Sequence, residues 1–414
     1  METKPARDNL REGALLLFSG LGILVLLGRA LFMVLTTLLQ EPPAEADVLA
    51  AAGLGGISTI TCALLLLPVL IATARRLQGK ELRAVRLPGL RGWYIPALAG
   101  LWLLAVLVCG LLSGLLSYGW IPSIPFFLAG ILLPALGLSW LAMNGLASGS
   151  WRRVGAVLGL GMTVSPFLSI LAEYGLMGLA GLAAVAVAAG NPEWQTAIET
   201  IKSQLEQSTD IQSALVPLAP YLAKPLVFLA LLAFAAVLGP LIEEACKSIA
   251  VWLVGRRLRS RAEGFYLGAL SGAGFAILEG CLSASGAGSM LGVGLLGRAA
   301  STLMHISASA ILGWGVAAAI LEKRYGRLLL SYLASVSLHG LWNGSALLAV
   351  YGALRTTASK MEMPDMVSML FMLAGVGLLV FLFGLILALL PLINRYLQKT
   401  HRAPASDIMP PPNS

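Results

Sequence analysis

A chain of 414 residues that is 58% hydrophobic and 12% charged, with a mean hydropathy of +0.85, is not an ordinary soluble domain, because such domains carry about 25% charged residues. The composition reads as an all-α, polytopic transmembrane bundle. The net charge of +8 has to be set against the collection of Lys and Arg on the cytoplasmic side of membranes before any polyanion is invoked.

A bilayer core about 30 Å thick takes about 20 apolar residues per helix, and buried backbone groups there must be bonded within the segment. Ten runs meet that requirement, at roughly 13–39, 54–74, 94–117, 125–147, 154–190, 225–254, 263–283, 297–321, 328–353 and 367–393. The first follows a mixed-charge lead, 1–12, and is too long for the 7–15-residue core of a signal peptide, so it is expected to be an uncleaved span. The fifth is too long for one straight span, and Pro166 and Gly175 are expected to interrupt it. A tilted helix, a helix with a surface segment, or two spans would all account for its length.

Charge selects a single crossing. Alternate loops then place on one side Lys4, Arg7 and Arg11, six basic residues between Arg75 and Arg91, Arg152 and Arg153, four between Arg256 and Arg261, Lys323, Arg324 and Arg327, and Arg395, Lys399 and Arg402. That is 21 of the 28 basic residues, against four opposite, Lys202, Lys224, Arg355 and Lys360, which face nine acids. Both termini are accordingly expected in the cytoplasm, and no basic charge is left over for nucleic acid.

The chain divides into an N-terminal region of about five spans (1–190), an extracytoplasmic segment (191–224), a four-span core (225–353), a last span (354–393) and a tail (394–414) whose proline-rich end reads as disordered. Within 191–224, Trp194, Ile198, Ile201 and Leu205 share one helical face and Glu199, Lys202 and Glu206 the other. That amphipathic pattern suits a surface cap or a substrate gate. The four cysteines lie in apolar stretches without CxxC spacing, so neither a disulfide framework nor a structural zinc cluster is expected.

Ionisable side chains inside a span are costly and mark function by default. They are Arg29, Glu173, Glu243, Glu244, Lys247, Glu279, Arg298, His305 and His339, concentrated in the four-span core. Arg29 and Glu173 stand apart and are expected to pair or snorkel. Lys247 follows Glu243 by one turn, where it can neutralise a buried carboxylate. Gly264, Gly268, Gly272, Ala276 and Gly280 form a small-residue ladder on the seventh run, suited to close helix approach or to a wall for substrate entry. His339 and Asn343 share a face at i and i+4. Counted from the nearest cytoplasmic basic residue, Glu243, Glu279, His305 and His339 stand 13, 18, 18 and 12 residues up their helices, or about 18–27 Å at 1.5 Å per residue, so one pocket could hold all four.

Carboxylates, imidazoles and an amide in an apolar setting suit water activation, with Glu as general base and His or Asn at an oxyanion. The same donors could hold a divalent metal such as zinc, although no HExxH is present. Buried Glu, His and Lys would also serve a proton- or cation-coupled transporter, and a non-catalytic scaffold could keep them as packing.

Glu243-Glu244-x-x-Lys247, Phe275-x-x-x-Glu279, His305 and His339-x-x-x-Asn343, in that order on four consecutive runs, resemble the PrsW family of intramembrane endopeptidases, which is related to CAAX prenyl endopeptidases and bacteriocin-processing proteins. The related enzymes show EExxxR, FxxxH and HxxxN; Lys247 and Glu279 depart from the first two patterns in the direction of the PrsW branch and away from prenylated substrates. The resemblance implies hydrolysis of a peptide bond in a membrane-associated protein, in some members an anti-sigma factor, in a bacterial cytoplasmic membrane. It leaves a glutamate or a metal mechanism open. On this reading Glu243, or Glu244, activates water, while His305, His339 and Asn343 bind the scissile carbonyl or a metal. Glu279 and Arg298 support them, Lys247 orients the carboxylates, and His305, His339, Glu243 and Glu279 are the candidate metal ligands.

Overall fold

The computed structural model describes residues 4–39, 46–79, 93–116, 120–146, 151–188, 190–206, 211–255, 258–284, 291–359 and 363–401. Among these, 93% are helical and none is in a strand. In chain order the helices are α1 (Lys4–Leu38), α2 (Ala46–Leu77), α3 (Tyr94–Leu115), α4 (Trp120–Met143), α5 (Trp151–Met162), α6 (Val164–Ala188), α7 (Pro192–Glu206), α8 (Ile211–Leu222), α9 (Pro225–Ala233), α10 (Gly239–Val254), α11 (Arg261–Ala284), α12 (Leu291–Glu322), α13 (Tyr325–Ala358) and α14 (Met366–His401). Ten stretches are long and apolar enough to cross a membrane, with α5–α6 counting as one and α9–α10 as another. They coincide with the ten runs in the sequence. The helix expected across 194–205 is α7, and the tail beyond His401 lies outside the described residues.

Two prolines shape the composite spans. Pro166 has no N–H to give the Met162 carbonyl, and the chain breaks at Thr163, between α5 and α6. Gly175, by contrast, passes through α6 without interruption, contrary to the expectation that it breaks this run. In the sixth span, Pro240 cannot donate to the Ala236 carbonyl, and Phe234–Leu238 widen into a π-type turn in which Gly239 N–H reaches back to the Phe234 carbonyl. A π turn inserts one residue into the helical phase, about 100° of rotation, so this turn sets the direction in which the side chains of α10 point.

α11 is buried along almost its whole length. Its glycines fit the backbone of α12: a Cβ on Gly264, Gly268 or Gly272 would collide with the carbonyl of Gly313, Ser309 or His305. On another side, a Cβ on Gly274 would strike the Leu158 carbonyl of α5. This part of the small-residue ladder is therefore filled by α12, which corrects its reading as an entry wall. Gly268→Val is expected to lower the thermal unfolding midpoint in detergent, since forced overpacking costs about 1–3 kcal/mol. Gly377→Ala on α14, where a Cβ meets nothing within 4 Å, is expected to leave the midpoint unchanged or raise it.

At the far ends of these helices Glu322 pairs with Arg261 (2.9 Å), Arg327 (3.1 Å) and Arg324 (3.4 Å), and the Arg261 and Arg327 guanidinium groups lie over Trp314. Arg153 of α5 pairs with Glu263 of α11, whose other carboxylate oxygen accepts the Arg259 N–H at 2.6 Å. These contacts fix the register of α11 against α5, α12 and α13.

Candidate active site

Glu243 and Glu244 leave α10 about 100° apart, and their surroundings differ accordingly. Glu244 is fully buried: its Oε1 lies 2.8 Å from Lys247 Nζ and 2.9 Å from His339 Nδ1, and its Oε2 lies 2.8 Å from Ser335 Oγ and 3.2 Å from Ser309 Oγ. Glu243 keeps 16% of its side chain exposed and has Lys247 Nζ on its Oε2 at 3.0 Å. Lys247, fully buried, also reaches His305 Nδ1 at 2.9 Å and lies 4.1 Å from the centre of the Phe275 ring. Its three N–H bonds thus meet Glu243, Glu244 and His305.

These partners fix both imidazole tautomers. An ammonium has no lone pair, so His305 Nδ1 accepts from Lys247, and Nε2–H donates to Glu279 Oε2 at 2.8 Å. A carboxylate only accepts, so His339 Nδ1–H donates to Glu244 Oε1. The lone pair on His339 Nε2 then faces Glu243 Oε2 across 3.8 Å. The two rings stand edge to face with centroids 4.9 Å apart. Arg298 grips Glu279 with two hydrogen bonds, 3.2 and 2.7 Å.

The structure brings Glu243, Glu244, Lys247, Glu279, Arg298, His305 and His339 into one connected network. Asn343 is elsewhere: its Nδ2 donates to the Ala235 carbonyl at 3.1 Å, a group that the π turn leaves in need of a partner. Gly340 lets α13 close on that turn, because a Cβ there would strike the Ala236 carbonyl. The expected pairing of Arg29 with Glu173 is absent: Arg29 Nη1 and Glu173 Oε1 are both buried without a hydrogen-bond partner among the described residues. Arg29 lies near Cys62 instead, while Glu173 comes within electrostatic range of Glu243, Lys247 and Glu279. The sequence reading also passed over Ser309 and Ser335. Their signal was spacing, since Ser309 lies one turn beyond His305 and Ser335 one turn before His339.

The donor set suits a metal ion. One ligand atom each from Glu243, His305 and His339 lie within 4.8 Å of one another. His339 is held by Glu244 as carboxylates commonly hold the metal-binding histidines of enzymes. Glu243, Glu244 and Glu279 formally exceed Lys247 and Arg298 by one negative charge, which a cation would offset. His305 can join only by yielding its bond to Lys247 or to Glu279, and Glu279 itself lies outside the triplet.

Ten candidate spans and a largely buried Glu/His/His cluster define the class, a multi-pass membrane protein with a polar centre. Residues 211–383, which run from α8 into α14 and include every motif residue, match the model of the PrsW family intramembrane metalloproteases, a family of peptidases. The first five candidate spans lie outside the matched segment. Neither the curated proteins nor the solved structures gave a match.

Proposed function

We propose that the protein hydrolyses a peptide bond of a membrane-embedded protein substrate, with Glu243, His305 and His339 holding a divalent ion such as zinc. The observation that carries this reading is the convergence of those three side chains from α10, α12 and α13 within 4.8 Å. When bound, such an ion supplies Lewis acidity that lowers the pKa of water and polarises a carbonyl. The remaining roles fall to the chain. Glu243, whose Oε1 has no donor among the described residues, takes the proton of the attacking water and passes it to the leaving amine as the C–N bond breaks. Glu244 keeps His339 in the tautomer with Nε2 free, Lys247 holds both carboxylates in place, and Arg298, through Glu279, fixes the ring of His305. Asn343 acts by bracing the π turn from which α10 emerges.

The substrate segment has to enter unwound, because a hydrogen-bonded helix hides its carbonyls. An anti-sigma factor as substrate and a bacterial cytoplasmic membrane follow from the family resemblance, while the charge bias of the loops supports both termini inside. Protein reconstituted with single-span membrane proteins is expected to generate new N-termini, to lose this activity on dialysis against a chelator and to recover it with zinc. Cleavage that survives chelation would remove the metal from the reading, and absence of any cleavage would remove the hydrolysis.

A further inference from the structure

Glu173 lies outside the matched segment and outside all four motifs. On α6 it shares one face with Ser165 and Ser169, at i, i+4 and i+8, and that face runs along α10. Ser165 Oγ donates to the Cys246 carbonyl at 3.1 Å, Ser169 meets the Cys246 thiol, and one turn further Glu173 comes within electrostatic range of Glu243, Lys247 and Glu279. The neighbouring faces of the same helix turn Phe167, Leu171 and Tyr174 outward, 60%, 62% and 68% exposed, as lipid-facing surface. Glu173 therefore stands between lipid-facing surface and the polar cluster of Glu243, Lys247 and Glu279.

Its Oε1 is buried and receives no hydrogen bond among the described residues. Lys247, the cation within its electrostatic range, is already committed to Glu243 and Glu244. A buried acceptor without a donor is unfavourable and calls for an explanation. An unwound segment in hydrocarbon has the complementary defect, backbone N–H groups without acceptors. A basic side chain would be the other natural partner, but Lys and Arg are rare inside spans, whereas every unwound segment carries N–H groups.

We infer that Glu173 is a substrate-binding residue, whose Oε1 accepts a backbone N–H of the unwound segment where it passes from lipid to the polar cluster. The inference rests on the peptidase reading and adds to it a contact from the N-terminal half of the chain. The test uses the full-length protein reconstituted with the solubilised membrane proteins of its own source, new N-termini being read by mass spectrometry. KM and kcat are then measured on the fastest-cleaved substrate, and each variant is checked by thermal unfolding. Glu173→Leu is expected to raise KM about tenfold, as loss of a buried hydrogen bond does, with kcat changed less than about twofold. Glu173→Gln, which keeps an acceptor oxygen, is expected to raise it less. Replacing successive substrate amides by esters is expected to raise KM at one position in the wild type and not in Glu173→Leu, the non-additivity of a direct contact.

An unchanged KM in Glu173→Leu, or a fall in kcat alone, would overturn the inference. So would a Gln variant as impaired as the Leu variant, with the loss following a Lys or Arg beside the cleaved bond. If the wild type produced no new termini at all, the peptidase reading would fall and take this inference with it. Cleavage by the wild type with Glu173 indifferent would remove this inference alone.

Discussion

Lys247→Met is expected to destabilise the folded protein more than any other single substitution in the site. Lys247 is fully buried, its N–H bonds hold Glu243 and Glu244 of its own helix, and through His305 Nδ1 it ties α10 to α12. Methionine matches the length of the side chain but leaves two carboxylates without their cation, and breaking a buried ion pair by removing one partner costs about 3–5 kcal/mol. Thermal unfolding of the purified protein in detergent should show a large drop in midpoint. The double variant Lys247→Met/Glu244→Gln should recover part of it, because removing both charges is less costly than stranding one. Arginine should not substitute, since the site is closed on all sides and the guanidinium is larger and planar. A Lys247→Met protein that melts like the wild type would mean that the network does not hold the helices together.

The spans were legible because hydrocarbon imposes a length and a composition that little else in a sequence imitates. Their ends were less so. α12 starts six residues before the expected 297 and α14 continues eight residues past 393, because helical hydrogen bonding carries on through glycine-rich or charged stretches that no hydropathy average marks. For α12 the early start is accommodated by Gly292, which packs on Gly110 so closely that a Cβ would lie 3.2 Å from the Gly110 Cα. Depth alone allowed Glu243, Glu279, His305 and His339 to meet, since their estimated heights are similar, but that they do meet depends on the packing of α10 to α13. Their division of labour was not legible. Which of Glu243 and Glu244 faces inward depends on the phase of α10, and that phase is set by the π turn at Phe234–Leu238. The same turn explains Asn343, whose i+4 spacing puts it one turn from His339 and so level with the Ala235 carbonyl rather than with the carboxylates. In the sequence Glu173 stands apart from the cluster; its place is given by the Ser165–Ser169–Glu173 stripe, which has meaning only once α10 is seen beside it.

The unequal settings of the paired carboxylates make Glu243→Gln and Glu244→Gln opposite kinds of variant. Glu243 is partly exposed and, among the described residues, has Lys247 as its hydrogen-bond partner, whereas Glu244 is enclosed by Lys247, His339, Ser309 and Ser335. An amide at 243 can still accept from Lys247, so Glu243→Gln is expected to melt close to the wild type. Peptide cleavage should nevertheless fall by about 10²–10⁴, the usual contribution of a positioned general base. An amide at 244 presents an NH₂ where the surroundings offer donors. Part of the Glu244 set is then lost, and each stranded buried partner costs about 1–3 kcal/mol. Glu244→Gln is therefore expected to lower the unfolding midpoint and to reduce cleavage as well, because His339 loses the acceptor that fixes its tautomer. Measuring unfolding midpoints and kcat/KM for both variants separates the roles. A stable, inactive Glu243→Gln beside a destabilised Glu244→Gln is the expected pattern, and the reverse would mean that α10 carries the two carboxylates in the opposite sense.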